Sequence, residues 1–264
     1  IKNKNERMKP AILLVDDNQE ILEFLVDDLS DNYRVLTALN GHKAIDLLRC
    51  EVIQLVISDI MMPVMDGYEL CRLIKSNIEN SHIPVILLTA KNTLQSKIQG
   101  LEEGADAYIE KPFSPAYLQV QISNLLSNRN KIREHFANTP LVNIKSIAYT
   151  KADETFLQNL YELIIQNLEN VDLGVDHLAE KMNISRATLY RKISAVTNLS
   201  PLELINITRL KRAAELLSTG KYKIFEISDM TGFNSQSNFG RSFLKQFGLS
   251  PSAYVTLKKE EIPH

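Results

Sequence analysis

The chain has 264 residues, 44% of them hydrophobic and 23% charged, with a formal net charge of −2. That length exceeds the usual size of one compact domain and implies two. No apolar run approaches the ~20 residues a membrane helix needs, and no charged-then-apolar leader opens the chain, which argues for a soluble segment without membrane contact.

The two cysteines, Cys50 and Cys71, lack metal-ligand spacing and fit small buried hydrophobes in a reducing cytoplasm, and the five scattered histidines suggest no zinc site. Residues 1–9, with the polar stretch KNKNERMK, read as a linker or a fragment boundary. The net charge conceals two opposite halves. Residues 10–128 carry 17 Asp and Glu against 8 Lys and Arg, a net −9, whereas residues 181–245 carry 11 Lys and Arg against 4 Asp and Glu, a net +7. A polyanionic partner therefore suits only the second half.

From Ala11 onward, short apolar runs alternate with helical spacing. AILLV, YRVLTA, LVISDI, VILLTA and AYIEK predict five strands. Between them Ile21, Leu22, Leu25, Val26 and Leu29, and later Leu70, Leu73 and Ile74, fall at helical intervals. Strands alternating with helices predict a doubly wound, five-stranded parallel sheet, an α/β fold whose ligand chemistry gathers at the carboxyl ends of the strands. At those ends stand Asp16 and Asp17, then Asp59, Thr89 and Lys111.

Three carboxylates on one rim repel unless a cation neutralises them. All-oxygen ligands suit Mg²⁺ shared with a phosphate. A carboxylate beside such an ion is a candidate nucleophile for an aspartyl phosphate, with Thr89 and Lys111 placed to stabilise phosphoryl oxygens. An isolated Asp-Asp pair is more often a helix cap, and Lys111-Pro112 alone would mean only a turn. Five polar groups at successive strand ends favour the chemical reading.

VDDN, SDIMMPVMDG, PVILLTA and GADAYIEKPF together resemble a two-component response-regulator receiver domain over residues 10–128. The resemblance implies a flavodoxin-like fold with Asp59 as phosphoacceptor, and Asp16, Asp17, Asp59 and the Met61 backbone carbonyl around Mg²⁺. Thr89 and Lys111 would contact the phosphoryl group, with Thr89 and Tyr108 as the switch pair. Met61 and Lys91 would flank the water that removes it.

Residues 129–152 read as a helix tail and an irregular linker, since Pro140 blocks a continuous helix. A helix over 153–170 then opens an all-α domain, residues 153–257, followed by a tail over 258–264. Within it one unit is written twice, as VDHLAEKMNISRATLYRKI and as IFEISDMTGFNSQSNFGRSF. Each predicts a short helix, a tight turn and a second helix. Ala179 suits close helix crossing, Asn183 and Gly232 suit left-handed turn positions, and Ser185 suits a helix cap. Two helix-turn-helix units in a basic region point to double-stranded DNA, with each second helix in the major groove. The helix LELINITRLKRAAELLST, stopped at Gly220, would set their spacing.

TRLKRAAELL, GFNSQSNFGRSF and GLSPSAY resemble the AraC/XylS-type DNA-binding domain, with Ser228 and Val255 departing from residues that family favours. On the first reading helix Arg186, Ala187, Thr188, Tyr190 and Arg191 are candidate DNA contacts, with Leu189 and Ile193 turned inward. On the second they are Asn234, Ser235, Gln236, Ser237, Asn238 and Arg241, with Phe239 and Phe243 inward.

These features imply a phosphorylation-controlled transcription regulator that is not an enzyme beyond its own phosphorylation and dephosphorylation. Its phosphodonor would be a histidine kinase, separate or fused upstream, and phosphorylation would favour a homodimer. The alternatives are an aspartyl-phosphate phosphohydrolase, which would want an acid where Met61 stands, and a receiver with a helical output that does not bind DNA.

Overall fold

The five apolar runs pair into one parallel sheet in the order β2-β1-β3-β4-β5, with β1 at Ala11–Val15, β2 at Arg34–Ala38, β3 at Leu55–Asp59, β4 at Val85–Thr89 and β5 at Ala107–Glu110. The computed structural model describes residues 9–90 and 102–260. β1, β3 and β4 are buried along their whole length, because helices cover both faces; hence their sequences are continuously apolar rather than alternating.

Successive strand residues serve opposite faces. Ile12, Leu14, Ile57 and Leu88 pack with Leu22, Leu25 and Leu29 of α1 (Gln19–Leu29). Leu13, Val15, Val56 and Leu87 pack on the other face with α2 (Gly41–Cys50) and α3 (Gly67–Ser76). Leu73, expected inward, is 40% exposed; Leu70 and Ile74 occupy the inward face of α3 instead. Cys50 and Cys71 are both free thiols, and burial pushes the Cys71 thiol up to about 12.

The chain divides into two compact units at Arg129 and Asn130. Helix α4 (Pro115–Asn138) buries Leu118 and Ile122 in the first core and Phe136 in the second. The stretch expected to be a linker therefore belongs to a core: Phe136, Ile144 and Ile147 are 1%, 2% and 0% exposed. A 3₁₀ turn at Ile144–Ile147 presents the two isoleucines after the helix has ended. Helix α5 (Lys151–Gln166), capped by Thr150, starts two residues earlier than the pattern suggested.

The second unit continues with α6 (Val175–Lys181), α7 (Arg186–Thr197), α8 (Pro201–Thr219), α9 (Ile224–Met230), α10 (Gln236–Phe247) and α11 (Pro251–Glu260). Both expected helix-turn-helix units are present, as α6–α7 and α9–α10. In the first turn Asn183 has φ 53° and the Ser185 hydroxyl accepts the Thr188 amide at 3.0 Å. In the second, Gly232 has φ 70°, and a Cβ there would lie 2.3 Å from the Leu168 carbonyl oxygen. Glycine is thus required twice over, by backbone conformation and by space.

Helix α8 ties the units together by contributing Leu204, Ile205 and Ile207 to the core around the first and Leu210, Ala213 and Leu217 to the core around the second. That second core is a run of rings, with Phe243 centred 5.7 Å from Phe239, 4.9 Å from Phe247 and 5.6 Å from Tyr254.

Ser228 on α9 is fully buried, and its hydroxyl has no hydrogen-bond partner among the described residues. A buried hydroxyl left unsatisfied costs about 1–3 kcal/mol. Ser228→Ala is therefore expected to raise the unfolding free energy by about 1 kcal/mol in urea titration; a loss of stability would show that the hydroxyl does have a partner.

Candidate functional site

Sheet register decides which strand ends meet. Val15 lies beside Ser58, Asp59 beside Leu88, and Thr89 beside Glu110. Asp16, Asp59, Thr89 and Lys111 are consequently neighbours on one rim. The first three are buried, at 2%, 7% and 1% exposure.

The Lys111 ammonium bridges the two carboxylates, 2.9 Å from Asp16 Oδ2 and 2.6 Å from Asp59 Oδ1. Its backbone amide donates to the Thr89 carbonyl at 2.6 Å, and the peptide bond to Pro112 is cis. Burial works against the ammonium, yet the hydrogen bonds and charges of Asp59 and Asp16 outweigh it, and the Lys111 pKa lies above the ordinary lysine value. The second oxygen of Asp59 accepts the Met61 amide at 2.8 Å.

The aspartate pair does not cap α1. Asn18 does, accepting from the Glu20 amide at 2.9 Å, while Asp16 Oδ1 accepts the Asn18 amide at 2.9 Å. Asp17, the third carboxylate of the expected set, is exposed, and among the described residues no three or more His, Cys, Asp or Glu side chains are already gathered as a metal-holding group. The cation that relieves repulsion between Asp16 and Asp59 is here the lysine. The paired oxygen donors still fit a hydrated Mg²⁺, which takes one or two carboxylates and keeps several waters.

The loop after β3 folds tightly over Asp59. Gly67 donates its amide to the Ile60 carbonyl at 3.0 Å, and a Cβ at Gly67 would lie 2.3 Å from the Asp59 carbonyl oxygen. Asp66 caps α3 by accepting the Glu69 amide at 2.8 Å. Val64, in the same loop, has φ 73° and is 83% exposed, an uncommon conformation for a β-branched residue. Met61 is exposed. Tyr108 is half-buried on β5 against the first core. Lys91 lies outside the described residues.

In the second unit Leu189, Ile193, Phe239 and Phe243 are all fully buried, as expected. That leaves Arg186, Ala187, Tyr190 and Arg191 exposed on α7, with Thr188 half-exposed beside the cap. Asn234, Ser235, Gln236, Ser237, Asn238 and Arg241 are exposed at α10. Two of the candidates have local duties. Arg186 pairs with Asp176 at 3.1 Å, and the Ser235 hydroxyl caps α10 by accepting the Asn238 amide at 3.2 Å.

Sequence reasoning missed two buried cations of this basic region. Lys192, 1% exposed on α7, meets Asp153, 0% exposed on α5, at 2.5 Å. Lys211 on α8 donates to the Thr139 and Val142 carbonyls at 2.5 and 3.2 Å and lies 4.5 Å from the centre of the Phe136 ring. Burial pushes its amine down to about 8, with the Glu215 charge pulling the other way.

A response regulator receiver domain model matches residues 12–123, and a helix-turn-helix domain model matches residues 178–256. The chain is 39% identical over 256 residues to "Histidine kinase P4" of Formosa agariphila, covering 97% of this chain but 19% of that protein. It is 36% identical over 184 residues to "Probable transcriptional regulator ycf27" of Porphyra purpurea, covering 69% of this chain and 72% of that protein. The solved signal receiver domain of a signal transduction histidine kinase from Syntrophus aciditrophicus is 38% identical, with a TM-score of 0.43 over 45% of this chain and 91% of that one. With its acidic strand-end rim and its paired helix-turn-helix units, the chain belongs to the two-component response regulators, a receiver domain followed by an AraC-type helix-turn-helix domain, the make-up of a phosphorylation-controlled transcription regulator.

Proposed function

We propose that Asp59 accepts a phosphoryl group from a histidine kinase and that this modification controls sequence-specific DNA binding by the second unit. The observation that carries the reading is the convergence of Asp16, Asp59 and Lys111, in which a buried carboxylate is held 2.6 Å from an ammonium at the carboxyl end of a central strand. Phosphoryl transfer depends on positioning and charge neutralisation more than on covalent chemistry by the protein. Lys111 would neutralise incoming phosphoryl oxygens, the buried Thr89 would offer its hydroxyl to one, and the Met61 amide holds the carboxylate through Oδ2.

Asp16, Asp17, Asp59 and the Met61 carbonyl would hold Mg²⁺, which supplies charge stabilisation for the transferring group. In this reading Thr89 moves toward the modified Asp59, Tyr108 turns into the vacated space, and the altered surface pairs two receivers in the cytoplasm. A dimer gains affinity on two adjacent sites through effective concentration rather than new base contacts. The relative named a histidine kinase, aligned over 97% of this chain, supports a kinase donor, on the same chain or another.

The test is incubation of the full chain with acetyl phosphate, with and without Mg²⁺, followed by intact-mass measurement and DNA titration. A single phosphoryl adduct that requires Mg²⁺ and tightens binding to a two-site duplex is expected; no adduct, or an adduct without effect on DNA, would refute the reading.

The exposed arginines of the reading helices give a separate expectation. Arg191→Ala and Arg241→Ala should each weaken binding to a selected duplex by about 1–3 kcal/mol, with less effect on scrambled DNA, if their guanidinium groups read base edges. Equal loss on both duplexes would assign them to phosphate instead.

A further inference from the structure

The last turns of α4 touch both reading helices and the helix between them. The helix α7 ends at Thr197, where Asn198 adopts φ 60°, and its last turn contains no basic residue of its own. Helix ends leave carbonyls unpaired and carry partial negative charge. Arg133 answers both needs from outside: its Nε donates to the Val196 carbonyl at 3.0 Å, one terminal nitrogen donates to the Ala195 carbonyl, and the other reaches Asn198 Oδ1 at 3.3 Å. Four residues on, the Ala137 carbonyl at the end of α4 accepts from Gln246 Nε2 of α10 at 3.0 Å. Phe136 lies between them, buried against the first helix-turn-helix core and under Lys211 of α8. None of these contacts uses the exposed faces of α7 and α10, and all of them start N-terminal to the matched helix-turn-helix domain, which begins at 178.

We propose that residues 130–142 form a brace that fixes the two reading heads relative to each other, with Arg133 and Gln246 as positioning residues for DNA recognition. Two heads that read successive groove segments must be held at the spacing of the DNA, and rigid supporting contacts hold reading side chains in the required geometry. Helix α8 joins the heads along one line, and the Gly232 turn meets the chain at Leu168. A further connection at a different place restricts rotation about that line, and the brace supplies it by charge-assisted capping of α7 at one end and a side-chain hydrogen bond from α10 at the other. Arg133 is the stronger point, because a guanidinium delivers several donors in fixed geometry where a lysine delivers a point charge.

The inference rests on the reading that the second unit binds DNA in sequence-specific fashion, so the experiment separates the two. A duplex is selected from a random pool with the full-length chain, and its affinity is compared with that of a scrambled duplex for the parent, Arg133→Ala, Arg133→Lys and Gln246→Ala, alongside thermal unfolding of each. The ratio of selected to scrambled affinity should fall about tenfold in Arg133→Ala and recover in part in Arg133→Lys, with scrambled-duplex affinity unchanged. Arg133→Ala and Gln246→Ala combined should lose less than the product of their separate effects, since either one releases the same constraint. A parent without preference for any duplex would overturn the DNA reading and the brace with it. A parent with preference and variants with the same ratio would overturn the brace alone, as would losses equal on both duplexes or a fall in ratio that Arg133→Lys does not relieve. Should Arg133→Ala fail to fold, Gln246→Ala and Arg133→Lys decide the matter by the same ratio.

Discussion

Asp59→Asn is expected to take up no phosphoryl group from acetyl phosphate in the presence of Mg²⁺, while the receiver stays folded. An amide has the shape of the carboxylate and can still accept the Met61 amide, now 2.8 Å from Oδ2, but it offers no anionic oxygen to attack phosphorus. The change also removes one of the two carboxylates that hold Lys111, leaving that ammonium on Asp16. Intact-mass measurement of parent and variant gives the answer directly, and circular dichroism establishes folding. An adduct of equal yield in the variant would move the acceptor elsewhere.

Lys192→Met carries the largest expected loss of stability, about 3–5 kcal/mol, because it removes the ammonium that faces the Asp153 carboxylate in a site with no exposure. The pair is closed at 2.5 Å and lies near the Phe156 ring, whose centre is 5.8 Å from the ammonium. Removing both charges in Asp153→Asn/Lys192→Met should restore most of the loss, since a buried pair often contributes little beyond what packed neutral groups would. Urea titration of the two variants distinguishes these cases; a single variant as stable as the double would mean that the pair is open to water. Because Lys192 sits on α7 and Asp153 on α5, the pair also ties these two helices together.

Lys192 shows how a sequence can state a position that charge conceals. Leu189, Lys192, Ile193 and Val196 recur at intervals of three and four, so periodicity alone puts the lysine on the inward face. Its charge, beside Arg191 in a basic region, points the other way, and only an acid placed 39 residues earlier by tertiary packing resolves the conflict.

The five strands were legible to within a residue because three are buried on both faces and their apolar runs stop at polar strand ends. The turns at Asn183 and Gly232 were legible because few residues adopt positive φ. Residues 129–152 were not: Phe136, Ile144 and Ile147 are divided between a helix end and a 3₁₀ turn, too short and too unlike for any period to register. At the rim, residue types announced the chemistry, but that Asp17 faces solvent while Asp16 and Asp59 share a lysine is a matter of backbone direction after β1, which spacing does not encode.

Phe136 has one more consequence, for how such proteins can be taken apart or recombined. A segment cut at the start of the matched helix-turn-helix domain, residue 178, would leave behind the ring that covers Lys211 and the arginine that caps α7. Cutting at residue 153 would keep most of α5 but, like the cut at 178, would still lose these groups and Ile144 and Ile147, whose burial is worth about 1.5–3 kcal/mol each. The transferable cassette therefore begins near Asn130, inside a helix. A productive exchange of receiver and helix-turn-helix parts must splice one helix to another rather than join loops.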